Sequence, residues 1–322
     1  MVSGMTTVPV AGARGLARER YVDGRDRGRA LGELCRLRNM RVPWLIFVVV
    51  GVGAGLGLPA LVAGVAVIGA AGAVAAALND RADVASDRAN GRFDRPLVSG
   101  LLSDRDVIGV VVGAGLAALA VQPVLPQPTG LAVTVLALVV GAASACEPVA
   151  LQRRGLVGLL ALGLCYLVLP VALAAGWAPA LHAIPLAAVG AGVLAHKDAR
   201  DERGDRLAGK ATLVVRVGSR PMARIAFAAT VVGAAGLAAT LRLGWWILPA
   251  LVVAVEMGRM ARAGHDPERW MRARVALVAL ALVVAVGVAG AWSPAAGVLL
   301  RLRRAGRRHL VRPAGRPRPR SR

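Results

Sequence analysis

Four stretches of the chain run without Asp, Glu, Lys or Arg for longer than a bilayer core is thick: residues 42–79, 107–146, 155–196 and 275–300. A helix needs about 20 apolar residues to cross. The first three stretches, 38, 40 and 42 residues long, are therefore expected to cross twice each, and the last, of 26, once. Turn formers sit at their midpoints, at Gly57-Leu58-Pro59, at residues 122–130 with three prolines, and at Gly176-Trp177-Ala178-Pro179. A fourth pair is read over residues 225–255, divided at Arg242 and Gly244-Trp245-Trp246, with the Trp pair as an interfacial anchor. The pattern predicts an all-α membrane protein with nine transmembrane helices.

Composition agrees. Hydrophobic residues make up 57% of the 322, mean hydropathy is +0.61, and with 39 glycines and only 3% aromatics the apolar mass is Ala, Val, Leu and Gly. Small residues suit helices packed closely in lipid. The three cysteines, Cys35, Cys146 and Cys165, have no disulfide or zinc spacing.

Forty basic residues against 18 acidic give a net charge of +22, which in a soluble chain would suggest a nucleic-acid partner. Here the excess is terminal. Residues 14–41 and 301–322 carry +15 of it, and the last segment holds ten Arg and no acid. The expected organisation is a basic cytosolic segment at 1–41, disordered at its start and without a signal peptide, a transmembrane domain at 42–300, and an Arg/Pro-rich disordered tail at 301–322. The termini read as facing anionic lipid, with no nucleic-acid partner. Loops 80–106, 147–154, 197–224 and 256–274 carry nearly all the internal charge, so the positive-inside rule puts them and the amino terminus in the cytoplasm of a bacterial plasma membrane. Nine crossings leave the Arg-rich tail outside, against the same rule.

The chemistry concentrates in two of these loops. Asp80, Asp83 and Asp87 are spaced i, i+3, i+7, and so are Asp198, Asp201 and Asp205. That spacing stacks three carboxylates on one helix face. A solvated loop is the plain reading of either cluster alone. Two identically spaced clusters on one side of the membrane predict a site for Mg²⁺, which takes carboxylate oxygens and shares its remaining positions with a substrate phosphate. Arg88, Arg92 and Arg95 follow the first cluster, Arg153 and Arg154 occupy the loop after the fourth span, and Lys197 and Lys210, the two lysines of the chain, flank the second cluster. Such cations would hold a diphosphate. Charges at helix ends rather than mid-bilayer disfavour the alternative of a polytopic transporter.

These residues resemble the UbiA superfamily of intramembrane prenyltransferases. Asn79 to Asp87 matches its NDxxDxxxD motif, Asn90, Arg95-Pro96 and Ser99-Gly100 its following loop, and Lys197 to Asp205 its KDxxDxxGD motif, with Gly209 to Leu213 resembling the stretch that follows. The likeness covers roughly residues 33–292. It implies a nine-helix bundle whose central cavity opens to lipid, where Mg²⁺ on the two motifs binds a polyprenyl diphosphate. Ionisation would give an allylic cation that a hydrophobic aromatic or lipid acceptor attacks. By this resemblance Asn79, Asp83, Asp87, Asp201 and Asp205 lie closest to metal, supported by Asp80 and Asp198, and Asn79, Arg88, Arg95, Arg153, Lys197 and Lys210 hold the diphosphate. Asp83, Asp87, Asp201, Asp205 and Lys197 carry the catalysis. One departure bears on the acceptor: where many members carry Tyr-Ser-Pro, this chain has Cys146-Glu147-Pro148.

Overall fold

A computed structural model describes residues 24–241 and 244–292; residues 1–23, residues 242–243 with the expected break at Arg242, and the tail from 293 lie outside the described residues. Everything described is helix or connecting turn, with no strand among the described residues. An amino-terminal helix α1 (Gly24–Cys35) leads through a short 3₁₀ turn, Leu37–Met40, into α2 (Arg41–Gly53), α3 (Leu58–Ala82) and the short α4 (Val84–Ala89). Then follow α5 (Asp104–Ala120), α6 (Thr129–Ala145), α7 (Leu156–Gly163), α8 (Leu169–Ala175) and α9 (Trp177–Ala195). The last described elements are α10 (Glu202–Leu207), α11 (Leu213–Val217), α12 (Ser219–Thr240), α13 (Ile247–Ala263) and α14 (Pro267–Trp292).

Six of these segments are long and apolar enough to cross a membrane: Leu58–Ala82, Asp104–Val124, Leu156–Ala175, Trp177–Ala195, Ser219–Thr240 and Pro267–Gly290. The protein is thus an all-helical integral membrane protein. The expected nine exceeds this count because α2, α6 and α13 are short, at 13, 17 and 17 residues. In addition, α13 carries Glu256, Arg259 and Arg262.

The helices form one bundle. α3 packs against α2, α5 and α6; α2 also meets α8 and α14; α9 meets α7, α8, α12 and α14; and α13 bridges α12 and α14. Pro170 opens α8 directly after a π-helical turn, Leu164–Val168. Pro185, inside α9, receives α12 where that helix carries Gly233 and Gly236. A Cβ on Gly233 would stand 2.6 Å from the Pro185 carbonyl oxygen, so only glycine permits this approach. Two Trp side chains use their indole N–H as cross-links, Trp44 Nε1 to the Val65 carbonyl and Trp270 Nε1 to the Val193 carbonyl, each at 3.0 Å. Of the expected Trp anchor, Trp245 is exposed but Trp246 is buried.

The basic leading segment, expected to be disordered at its start, is helical from Gly24. Ala30 and Leu34, one turn apart on α1, bury against Ala77, Leu102 and Val107, and Arg27 donates to Asp106 at 2.6 Å. Apolar side chains at helical spacing on an otherwise charged segment lay α1 across the mouth of α3 and α5.

Candidate active site

Neither acidic motif is one continuous helix. α3 ends at Ala82 and α4 starts at Val84, with Asp83 between them at φ −95°, ψ 0°. In the second motif a 3₁₀ turn, Asp198–Arg200, precedes α10, with Asp201 between them at φ −98°, ψ 1°. Each motif thus changes helix at its middle Asp, while the backbone bonds run on across the first of these changes, from Asp83 N–H to the Asn79 carbonyl and from Asp87 N–H to the Asp83 carbonyl.

The two motifs repeat one another in space at an offset of 118 residues. Asp87 N–H bonds to the Asp83 carbonyl at 2.8 Å and Asp205 N–H to the Asp201 carbonyl at 2.9 Å. Arg92 N–H returns to the Asp87 carbonyl at 2.9 Å and Lys210 N–H to the Asp205 carbonyl at 2.8 Å. Each return is made by a left-handed glycine, Gly91 at φ 71° and Gly209 at φ 68°.

The side chains follow the same two-fold scheme. Arg92 lies 3.8 Å from Asp87 in its own motif and 4.0 Å from Asp201 in the other. Lys210 lies 3.9 Å from Asp205 in its own motif and 2.8 Å from Asp83 in the other. Each cation thus joins the last carboxylate of one motif to the middle carboxylate of the other. Asn90 locks the loops together: its Oδ1 accepts from Gly204 N–H at 2.9 Å and its amide donates to the Asp201 carbonyl at 3.4 Å. Gly204 must be glycine here, because a Cβ would run into that amide.

The first carboxylate of the first motif has a separate partner. Asp80 is buried and paired with Arg36, which sits in the left-handed region at φ 46° between α1 and the 3₁₀ turn. Arg95, 3.8 Å from Asp87, is close enough to Arg36 that burial and then the Arg36 charge lower its pKa. Arg36 Nε, Arg95 Nε and Asp80 Oδ2 are all buried without a hydrogen-bond partner. Burial likewise pushes the Asp87 and Asp198 carboxyls up, against the nearby cations. Burial raises Asp205 to about 6, opposed by Lys210 and reinforced by Asp198, Asp83 and Asp201. For Lys210 burial works against the charge, but Asp83 and Asp205 outweigh it and the pKa is raised. Buried acids held above their usual range beside further carboxylates suit a cationic guest.

Among the described residues no three His, Cys, Asp or Glu side chains are grouped as a metal cage. The carboxylates come instead as two cross-motif pairs, each with a cation of the chain between its members. An all-oxygen donor set of one or two carboxylates per ion suits Mg²⁺, which completes its shell from water and substrate phosphate. The residues present fit that ion.

Not every expected residue arrives. Arg88 is exposed and makes no ion pair among the described residues. Arg153 pairs with Glu147 at 2.7 Å, within its own loop. Lys197 is half-buried and acts on Asp198 through its charge, and Asn79 contributes its carbonyl to Asp83 N–H at 2.9 Å. Arg36 and the clamp function of Asn90 were missed. For the pairing of Arg92 with Lys210 the signal was available, since each stands five residues beyond the last Asp of its motif.

Fold and site together define an integral helical bundle with a symmetric carboxylate and cation site at one end. Residues 42–269 match the UbiA prenyltransferase family. Digeranylgeranylglyceryl phosphate synthase of Methanoregula boonei is 34% identical over 216 residues, 65% of this chain and 75% of the relative. Among solved structures, a UbiA homolog from Archaeoglobus fulgidus bound to GPP and Mg²⁺ superposes with a TM-score of 0.61 at 15% identity, covering 81% of this chain and 99% of that one. An apo UbiA homolog from Aeropyrum pernix K1 gives 0.55 at 20% identity, over 83% and 99%. The chain belongs to the UbiA prenyltransferase family and is an intramembrane prenyltransferase.

Proposed function

We propose that the chain transfers a polyprenyl group from its diphosphate to a membrane-lipid acceptor, with Mg²⁺, at the cytoplasmic end of nine membrane-crossing segments. The observation that carries this is the pair of cross-motif bridges, Asp87–Arg92–Asp201 and Asp83–Lys210–Asp205. Each gathers one carboxylate from each motif around a single positive group. Arg92 and Lys210 hold the places of positive charge between the motifs until metal and substrate come, and then turn to the diphosphate oxygens. Arg36 and Arg95, whose Nε groups make no hydrogen bond within the described residues, add donors on the same side.

Mg²⁺, when bound, would neutralise charge on the departing pyrophosphate. The rest falls to the chain. Asp83, Asp87, Asp201 and Asp205 orient the diphosphate end while the Ala/Val/Leu-lined bundle takes the prenyl chain and keeps water from the allylic cation. The allylic C–O bond breaks with its electron pair leaving on pyrophosphate. A C–O bond to the acceptor hydroxyl forms, and the hydroxyl proton passes to pyrophosphate or water. A lipid acceptor is preferred to an aromatic one on the likeness to the M. boonei enzyme, whose name is that of a glyceryl phosphate lipid synthase. Cys146-Glu147 in place of Tyr-Ser agrees with an altered acceptor end.

Membranes bearing the protein, given Mg²⁺, radiolabelled geranyl, farnesyl or geranylgeranyl diphosphate and a lipid extract, are expected to yield a labelled prenyl lipid. Asp83→Ala and Asp201→Ala should each abolish it while expression and insertion persist. Turnover surviving in either variant removes the two-motif assignment.

A further inference from the structure

The second acidic motif leaves the carboxyl end of α9, and that end is held by another part of the chain. The last carbonyls of a helix have no partner within it, and here one of them, Val193, accepts the Trp270 indole N–H at 3.0 Å. One turn further on, His196, at 0% exposure, brings its Nδ1 to 3.2 Å from Nδ1 of His265. Both partners come from the mouth of the α13–α14 hairpin. Gly264, left-handed at φ 98°, ends α13, and Asp266 caps α14 by accepting Arg269 N–H at 3.0 Å. His265 is the one residue between these two stops.

The geometry of the two rings defines the contact. Their centroids are 5.4 Å apart and their planes 24° from parallel. The centroid separation exceeds the 3.2 Å between the nitrogens by nearly the diameter of an imidazole ring. Both nitrogens therefore lie close to the line joining the rings and in the plane of each. That is an edge-to-edge N–H···N hydrogen bond rather than rings lying face over face. It takes one protonated and one bare Nδ1.

His196 is followed directly by Lys197 and Asp198, and the backbone runs on from there without slack. Asp201 N–H bonds to the Asp198 carbonyl at 3.1 Å, Asp205 N–H to the Asp201 carbonyl at 2.9 Å and Lys210 N–H to the Asp205 carbonyl at 2.8 Å. A displacement at His196 is thus passed to Asp201 and Asp205. We propose that His265 is a positioning residue for prenyl transfer: through His196 it fixes the exit of α9, and with it the placement of Asp201 and Asp205 opposite the first motif. This rests on the two-motif reading of the site.

The test compares variants of the full chain in detergent. Asparagine carries its amide where His265 carries Nδ1 and can either donate or accept there, whereas glutamine reaches only to the place of Nε2. His265→Ala and His265→Gln should each raise the Mg²⁺ concentration for half-maximal transfer about tenfold, the effect of losing one hydrogen bond with its partner left buried. At saturating Mg²⁺ and diphosphate kcat should stay within about twofold, and His265→Asn should restore the Mg²⁺ requirement to within about twofold of the parent. In the metal-free protein, amide hydrogen exchange over residues 198–210 should speed about tenfold in the Ala and Gln variants and not in the Asn variant, with α5 and α6 exchanging as before. A hairpin that only adds stability predicts faster exchange throughout, a lower unfolding temperature, an unchanged Mg²⁺ requirement and no advantage of Asn over Gln; that pattern overturns the proposal. So does a parental Mg²⁺ requirement in both His265→Ala and His265→Gln. If His265→Ala does not insert, the contrast of Asn with Gln decides alone. Asp201→Ala, assayed beside them, separates the two readings. Turnover in that variant removes the two-motif site and the role of His265 with it, whereas an inactive Asp201→Ala beside a parental His265→Gln removes only the role of His265.

Discussion

The two acidic motifs act as one site only if their loops keep register, and Asn90 supplies the direct tie. It makes one hydrogen bond of 2.9 Å with Gly204 N–H and one of 3.4 Å to the Asp201 carbonyl. A net hydrogen bond contributes about 0.5–1.5 kcal/mol, and the second lies near the limit of useful length. Asn90→Ala should therefore loosen the pair by about 1–2 kcal/mol, a factor of about 5–30 in any equilibrium that needs both motifs together. The expected readout is a rise of that size in the Mg²⁺ concentration giving half-maximal prenyl transfer. Gly204→Ala places a methyl in the Asn90 amide, so it breaks the same two bonds and should cost as much or more. In the double variant the obstruction is gone, because the amide that the new methyl would strike has itself been removed. The cycle is then strongly non-additive, with the double variant no worse than Asn90→Ala alone. The assay is prenyl transfer against Mg²⁺ for the four proteins at one donor concentration. Additive losses, or an Asn90→Ala protein with an unchanged Mg²⁺ requirement, would refute the clamp.

Two further outcomes follow from charge. Asp205 is raised to about 6 in the metal-free protein, above its unfolded value of 3.8. The sign is that of a buried acid: the metal-free fold is stabilised as pH falls through about 6 toward 3.8, and the carboxylate needed for metal is lost over the same range. Mg²⁺ affinity should thus be flat above about pH 6 and weaken up to about tenfold per unit below it, measurable by calorimetric titration at about pH 5 and about pH 7.5; an affinity independent of pH would remove Asp205 from the binding set. Arg36 and Asp80, with side chains only 17% and 3% exposed, form a buried pair. Arg36→Met should cost about 3–5 kcal/mol by leaving Asp80 uncompensated, and Arg36→Met with Asp80→Leu should recover most of it, read by thermal unfolding in detergent; equal stability of single and double variants would show the pair to be solvated.

Much of this could be seen in the chain beforehand, because bilayer crossing and carboxylate repetition leave strong one-dimensional signals. The turns at Gly57-Leu58-Pro59 and Gly176-Trp177 fall where helices end, and the two Asp motifs sit at the ends of α3 and α9. What escaped depended on three dimensions. A spacing of i, i+3, i+7 assumes an unbroken helix, and the chain changes helix at Asp83 and Asp201, while Asp80 takes as partner Arg36, which no spacing points to. Arg36 itself was hidden among the many Arg of the basic leader, where composition argued for disorder. Its segment folds because Ala30 and Leu34 find an apolar seat, a fact invisible without the partner surface. Arg153 was read for a diphosphate from its charge and its loop, and the structure adds a partner that the reading did not include, Glu147, six residues earlier.

The approximate two-fold of the site explains why its cations come from the chain at all. Four carboxylates gathered at one end of a helical bundle would repel one another, and the raised pKa of Asp205 reflects its burial and, against the pull of Lys210, repulsion from Asp198, Asp83 and Asp201. Arg92 and Lys210, on equivalent left-handed returns after Gly91 and Gly209, halve the negative charge without closing the site, because each is a long side chain that can swing aside. A diphosphate arriving alone would meet the remaining carboxylates and be repelled, and a divalent ion arriving alone would have to displace a paired cation. Arriving together, the two exchange partners with Arg92 and Lys210 at little change in net charge. On the proposed function, the repeat at an offset of 118 residues, carried down to the basic residue five beyond each last Asp, favours donor and metal binding together over either alone.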